Sequence, residues 1–142
     1  RYPMRALLDG FAGRQVAQRS SLDNVALLRR LDDSMAAMQD AARQHDVQRY
    51  YGENLRFHWA IVEAAENLSL SETYRGIVQK LHVSRLKNLA HDSRMQDSIS
   101  EHMDIASALR QGDPERCNKL LTEHVDDAYS RLTITAPLAT LI

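Results

Sequence analysis

Three histidines lie where a helical protein normally places apolar side chains, and an imidazole nitrogen is a common metal ligand. His58, His102 and His124 each occur at i, i+3 and i+4 spacing from apolar residues. Asn54 lies four residues before His58, so a helix would place both side chains on one face. Burying three imidazoles without partners would cost several kcal/mol, so a shared metal ion is a better explanation for three inward-facing histidines than an unrelated placement of each. We expect a divalent metal bound by these three histidines and Asn54, with Zn²⁺ favoured and Ni²⁺ or Mn²⁺ as alternatives.

Six helical segments account for nearly the whole chain, and no strand-like alternation of useful length occurs. The periodicity and the capping residues predict helices at about residues 3–19, 20–43, 47–66, 70–91, 93–111 and 114–136. The first helix is expected to face inward with five apolar residues, which are Met4, Leu7, Leu8, Phe11 and Val16. Gly10 and Gly13 weaken this helix but would permit close approach of a neighbouring helix.

Chain geometry predicts that the histidines converge. The fifth and sixth helices are joined by the short turn Gly112-Asp113, which makes them antiparallel neighbours. His102 lies ten residues before the turn and His124 eleven after Asp113, so each stands ~15 Å from it. His58 lies nine residues before the end of its helix at Asn67, at a comparable depth. One layer in the middle of the bundle therefore contains all three.

Composition limits the class of protein. The 142 residues suffice for one domain with a core, and we expect a helical domain at 1–136 followed by a tail at 137–142. The net charge of −1 gives no basic field for nucleic acid. The single Cys117 excludes an internal disulfide and fits the reducing cytoplasm. No apolar run approaches the ~20 residues of a membrane span.

Three functional interpretations remain open at this point. One is a ligand-binding module, another is a small metalloenzyme with a three-histidine site, and the third is a structural bundle with core histidines. A hydrolytic enzyme would need a general base beside the metal. Glu101 and Glu123 directly precede two histidines, but successive helix residues point ~100° apart, so neither carboxylate should face the metal. We therefore favour the binding module over an enzyme.

Several segments in this order resemble the C-terminal effector-binding domain, of FCD type, of GntR-family transcription regulators in the FadR subfamily. The resemblance rests on the first-helix segment from Arg5, Asn54-Leu-Arg-Phe-His58, Glu101-His102, Ala108-Leu-Arg-Gln-Gly112-Asp113 and Glu123-His124-Val125. It implies an all-α antiparallel bundle of six to seven helices with metal ligands at Asn54, His58, His102 and His124. It also implies a homodimer, a small organic acid effector, and an N-terminal winged helix-turn-helix that binds operator DNA and is absent from this chain.

One metal ligand departs from the usual family pattern, and two arginines are candidates for binding the effector. Family members often have Asp where this chain has Asn54, and a neutral amide is a weaker ligand that leaves the site more positive. Arg5 matches an arginine of the family's first helix, and Arg85 follows Leu81 on the fourth-helix stripe. Either guanidinium would bind a carboxylate by paired hydrogen bonds, and either is otherwise a solvated surface arginine.

Overall fold

The chain folds into an all-α bundle, as the periodicity predicts. The computed structural model describes residues 3–87 and 93–135, and their side chains over 4–79 and 95–128. Within these residues there are six α-helices and no strand. The helices are α1 Pro3–Ala17, α2 Val25–Arg43, α3 Val47–Ala64, α4 Leu68–Lys87, α5 Ser93–Gln111 and α6 Pro114–Thr135, with a 3₁₀ turn at Ser21–Asn24 before α2. None of the described helices is long and apolar enough to cross a membrane.

The face that α1 buries differs from the predicted one. Met4, Leu7 and Phe11 are exposed, at 54%, 61% and 43% of their surface, so this part of the prediction was wrong. The buried face instead contains small and charged residues together with Val16, namely Arg5, Ala6, Asp9, Ala12 and Val16. The physical reason is close helix packing, which requires small side chains, combined with an interior ion pair between Arg5 and Asp9. Apolar spacing alone therefore assigned the wrong face to the core.

Glycines let α1 pack tightly on α6, as expected. A Cβ at Gly10 would lie 2.3 Å from Asn118 Oδ1 and 2.4 Å from Thr122 Oγ1. A Cβ at Gly13 would lie 2.3 Å from Leu121 Cδ1. These distances are far below van der Waals contact, so the two helix backbones approach at the glycines.

A smaller difference occurs in α2. The apolar spacing predicts an inward stripe of Val25, Leu28, Met35, Met38 and Ala42. Val25 is half exposed, however, while Leu27 and Leu31 are buried. Met38 and Ala42 are buried as expected. The difference is therefore confined to the first half of α2, where the buried stripe begins at Leu27.

Helix ends follow capping chemistry with one correction. Gly112 has a φ of 65° and Asp113 N–H donates to Ala108 O at 3.2 Å, which is a Schellman-type end for α5. The Asp113 carboxylate then accepts from Arg116 N at 3.1 Å and caps α6, as predicted. For α4 the sequence suggests a serine cap at Ser69 or Ser71, but Asn67 Oδ1 accepts from Leu70 N at 3.0 Å instead. The caps at Gly112 and Asp113 fix the turn between α5 and α6, and this turn sets the positions of His102 and His124 along their helices.

The apolar spacing predicts two further stripes, which are Met95, Ile99, His102, Ala106 and Leu109 on α5, and Cys117, Leu121, His124, Ala128 and Leu132 on α6. Both are confirmed over the described side chains, and Leu132 lies outside them. Buried on α5 are Met95, Ile99, His102, Ala106 and Leu109. Buried on α6 are Cys117, Leu121, His124 and Ala128. Each histidine thus lies on the core side of its helix, at the middle of its stripe.

Candidate metal centre

The three histidines meet in the interior of the bundle. His58, His102 and His124 are each at most 4% exposed. His58 Nε2 lies 3.2 Å from His124 Nε2 and 3.3 Å from His102 Nε2. One ligand nitrogen from each ring falls within 4.8 Å of the other two, close enough to hold a single metal ion. The predicted convergence of α3, α5 and α6 at one depth is therefore confirmed.

The outer nitrogen of each ring has its own acceptor. His102 Nδ1 donates to the carbonyl oxygen of Ser98 at 2.6 Å. His58 Nδ1 lies 3.0 Å from Asp9 Oδ1, and His124 Nδ1 lies 2.6 Å from Glu101 Oε1. A carbonyl or carboxylate oxygen only accepts hydrogen bonds, so each Nδ1 must supply the proton. A neutral imidazole has one N–H, so when all three rings are neutral their Nε2 atoms present lone pairs to one another.

Facing lone pairs at these distances repel unless a metal ion or a shared proton lies between them. A metal ion removes the repulsion, and carboxylate or carbonyl acceptors on the far side of ligating histidines are the usual arrangement in metal sites. The donor set of three buried imidazole nitrogens suits a divalent transition metal. The residues present therefore fit the metal that the sequence implies.

Asn54 contributes a second indication. Its side chain is buried on α3, one turn before His58, and its Oδ1 has no hydrogen-bond partner. A buried unsatisfied acceptor costs about 1–3 kcal/mol. An acceptor oxygen that no protein group satisfies can serve as an additional metal ligand. This observation supports the prediction that Asn54 is a ligand.

A network centred on Asp9 supports His58. The carboxylate also accepts a hydrogen bond from Tyr74 Oη at 3.0 Å and one from Arg5 Nε at 2.8 Å. Burial alone would raise the pKa of Asp9, but the charge of Arg5, the charge that His58 carries when protonated and the hydrogen bonds from both side chains outweigh it and lower the pKa to about 2. Asp9 is therefore ionised at neutral pH and serves purely as an acceptor. Residues from α1, α3 and α4 meet at this carboxylate.

The two predicted effector anchors have different outcomes. Arg5 is buried, pairs with Asp9 and lies 5.2 Å from the centre of the Tyr74 ring. It is thus next to the histidine cluster, as an anchor would be, but its Nε already binds Asp9. Arg85 lies outside the residues whose side chains the structure describes. Both remain predictions as effector contacts.

Sequence reasoning missed the partners of the outer nitrogens, above all Asp9. A signal existed, since Arg5, Asp9, Ala12 and Val16 share one helical face, on which an i, i+4 acid–base pair is flanked by small residues. Helix geometry predicts that Glu101 does not face the metal, and its carboxylate reaches the outer nitrogen of His124 instead. The acceptor of His102 could not be predicted from the residue types, because it is the backbone carbonyl of Ser98.

The fold and the site together define a helical domain with a buried three-histidine cluster able to hold a metal ion. The FCD domain family matches residues 1–127. The chain belongs to that family, the effector-binding domains of GntR-type, FadR-like transcription regulators, and is a regulatory binding domain rather than an enzyme.

Two relatives place the chain further. A probable D-xylose utilization operon transcriptional repressor from Paenarthrobacter nicotinovorans is 30% identical over 123 residues, which are 87% of this chain and 52% of that protein. The chain thus spans about half the length of this curated relative. The structure of E. coli McbR/YncC matches with a TM-score of 0.81 at 18% identity, covering 94% of this chain and 66% of that one. That likeness demonstrates the shared fold.

Proposed function

We propose that this chain is the sensing domain of a transcription regulator in which His58, His102 and His124 hold a divalent metal that binds a small carboxylate effector. The observation that carries the proposal is the mutual approach of three Nε2 atoms whose opposite nitrogens are all hydrogen-bonded. When the three rings are neutral, this arrangement directs three lone pairs to one point, which a divalent metal ion would occupy. Asn54 Oδ1 is the proposed oxygen ligand.

When bound, the metal would supply a Lewis-acidic centre to which an anion can bind. Zn²⁺ is the favoured ion because nitrogen-rich sites with few ligands suit it, while Ni²⁺ or Mn²⁺ would need additional oxygen ligands. The protein's own part is to exclude water, fix the three imidazole orientations and keep the Nε2 lone pairs directed inward. Two of those orientations depend on carboxylates, which also strengthen the basicity of the rings.

Charge supports an anionic effector. Asp9 and Glu101 offset the two positive charges of a divalent metal, and the buried Arg5 adds one positive charge. Among the described residues around the cluster, one net positive charge therefore remains in a low-dielectric interior. A neutral Asn54, in place of a carboxylate, does not remove it. A bound carboxylate would neutralise this excess and thereby gain affinity.

The wider role rests on the family and on the relative. The P. nicotinovorans protein is named as a probable operon repressor, and this chain matches about half of its length. We propose that residues 1–136 form the effector-binding and dimerisation part of such a regulator. Operator DNA would be bound by a winged helix-turn-helix outside this sequence, and effector binding would change how a homodimer grips the operator.

A thermal-shift screen tests the effector proposal. The metal-loaded chain is heated with small mono- and dicarboxylates, with D-xylose as an uncharged comparison. A ligand at a hundredfold excess over its Kd should stabilise the fold by ~2.7 kcal/mol, which is several degrees in melting temperature. Stabilisation should disappear with a chelator and in His58→Ala. The proposal fails if no carboxylate stabilises the loaded protein, or if stabilisation survives both controls.

A further inference from the structure

Asp9 on α1 contacts a candidate metal ligand and side chains on two helices. The carboxylate is 2% exposed, and both of its oxygens are used. Oδ1 accepts from His58 Nδ1 and from Tyr74 Oη, each at 3.0 Å, and Oδ2 accepts from Arg5 Nε at 2.8 Å. One side chain thus joins α1 and α4 to the metal-ligand helix α3.

We infer that Asp9 is the positioning residue of the metal centre, holding His58 with its Nε2 lone pair turned inward and thereby linking α1 and α4 to metal binding. This inference rests on the proposed metal site and goes beyond it by assigning the site's affinity to a residue that is not a ligand. A movement of α1 that breaks the hydrogen bond between Asp9 and His58 would weaken metal binding. Because linkage is reciprocal, metal binding would in turn favour the position of α1 in which this hydrogen bond is made.

Chemistry explains why an aspartate is needed. An asparagine has one acceptor oxygen, whereas Asp9 accepts on both sides. If the asparagine oxygen faced His58, its amide N–H₂ would face the N–H of Arg5, and two donors would oppose each other in a buried place. Turning the amide over would oppose the Nδ1–H of His58 instead. In either orientation, His58 loses the negative charge that favours an inward lone pair.

The three histidines are held in different ways, and this difference provides internal controls. His58 uses the fully buried Asp9, His124 uses Glu101, whose side chain is 29% exposed, and His102 uses the backbone carbonyl of Ser98. Removing the Asp9 charge should therefore alter His58 and leave the tautomer of His102 unchanged. A general loss of structure would alter both.

The affinity experiment uses the full chain and Zn²⁺ alone, in competition with a chromophoric chelator. Asp9→Asn should weaken zinc binding by about 10- to 100-fold. Glu101→Gln should have a smaller effect, because its carboxylate is partly solvated and the amide oxygen can still accept from His124. Tyr74→Phe, which removes one hydrogen bond and keeps the carboxylate, should have the smallest effect.

A double variant separates positioning from stability. Arg5→Met combined with Asp9→Asn removes the opposed donors, so thermal stability should recover relative to Asp9→Asn while zinc affinity stays low. Nitrogen-15 NMR of the zinc-free proteins should show His58 leaving the Nδ1–H tautomer in both Asp9 variants and His102 keeping it.

The results distinguish the inference from the proposal beneath it. If the wild-type chain binds zinc and both Asp9 variants bind it equally well, Asp9 does not position the site and the inference is overturned. It is likewise overturned if affinity recovers together with stability in the double variant, because Asp9 is then a structural residue. If the wild-type chain binds no zinc, the proposed metal site and this inference both fall.

Discussion

An imidazole can bind a proton or a metal at either nitrogen, and the surroundings decide which one. For His102 the backbone carbonyl of Ser98 lies 2.6 Å from Nδ1 and can only accept, while the Ser98 hydroxyl lies farther away at 3.4 Å, so the proton is on Nδ1. For His58 and His124, the carboxylates of Asp9 and Glu101 accept from Nδ1, which makes Nε2 the nitrogen that can bind a metal. At the scale of single residues, the site is built by the groups behind the ligands as much as by the ligands.

Replacing one ligand should remove the metal but leave the bundle folded. We expect His102→Ala to abolish zinc binding, because two imidazoles and an amide form a poor site, while the surrounding apolar stripe keeps most of its packing. The melting temperature of the zinc-loaded protein should fall by several degrees, mainly through lost linkage. His45→Asn is the matched control, since His45 is exposed, lies outside the cluster and has a φ of 56° that asparagine tolerates. The metal role is contradicted if adding a chelator changes the melting temperature of neither the wild type nor His102→Ala.

Acid stability should report on Asp9. Its pKa in the folded protein is about 2 against an ordinary value of 3.8. The carboxylate therefore stabilises the fold above pH ~3.8, and this contribution is lost as the pH falls from 3.8 towards 2. The contribution is about 2 kcal/mol by linkage. Urea unfolding in the presence of a chelator should show a flatter pH dependence in Asp9→Asn over this window.

The control for the acid experiment is another ion-paired aspartate. Asp32 pairs with Arg110 at 2.6 Å, but its side chain is half exposed and solvent screens the pair. Asp32→Asn should leave the pH dependence close to that of wild type. An unchanged slope in Asp9→Asn would show that the buried carboxylate is not linked to folding in this way.

Among the elements, α1 is the most informative because several residues predicted to face inward are exposed and two charged residues are buried instead. Leu7 and Phe11 face outward, while Arg5 and Asp9 lie in the core beside His58. Hydrophobic spacing locates faces well on α5 and α6, where the described core side is apolar apart from the histidines and Ser98. It fails on α1, where glycine and alanine permit close packing and where the buried charges have partners on other helices.

The close approach of α1 and α6 should make glycine essential at position 10. In an open helix, Gly→Ala stabilises by roughly 1 kcal/mol. We expect Gly10→Ala to destabilise instead, by about 1–3 kcal/mol, because the new methyl group would overlap Asn118 and Thr122 and force the helices apart. Chemical denaturation measures the change.

Gly76→Ala is the matched control for that substitution. Gly76 lies within α4, is exposed, and has no atom within 4 Å of the position that an alanine methyl group would take. It should gain up to roughly the propensity difference of 1 kcal/mol. Equal stabilisation by both substitutions would contradict the tight α1–α6 packing.

Much of the fold and the ligand set follows from short-range rules. Gly112 and Asp113 set the turn, the turn sets the heights of His102 and His124, and the apolar stripes set the direction of each ring. The acceptors behind the rings could not be derived in this way, because Asp9 comes from a helix whose packing depends on distant contacts. Secondary-structure reasoning finds ligands on regular stripes more readily than the residues that orient them.

At the scale of the whole molecule, the chain is expected to form a homodimer. A regulator that reads a two-fold symmetric operator needs two-fold symmetry in its protein part. Sedimentation equilibrium at micromolar concentration should give about twice the chain mass, with and without zinc. A monomer throughout that range would contradict the assignment of dimerisation to residues 1–136.

The central claim is that His58, His102 and His124 share one metal ion, and anomalous scattering from crystals of the zinc-loaded chain tests it most directly. Data collected on either side of the zinc absorption edge locate the ion independently of the protein atoms. The account predicts one anomalous peak per chain, bonded to the three Nε2 atoms at about 2.0–2.1 Å. An empty space between the three imidazoles in zinc-loaded crystals, or a peak only at surface residues, would contradict it.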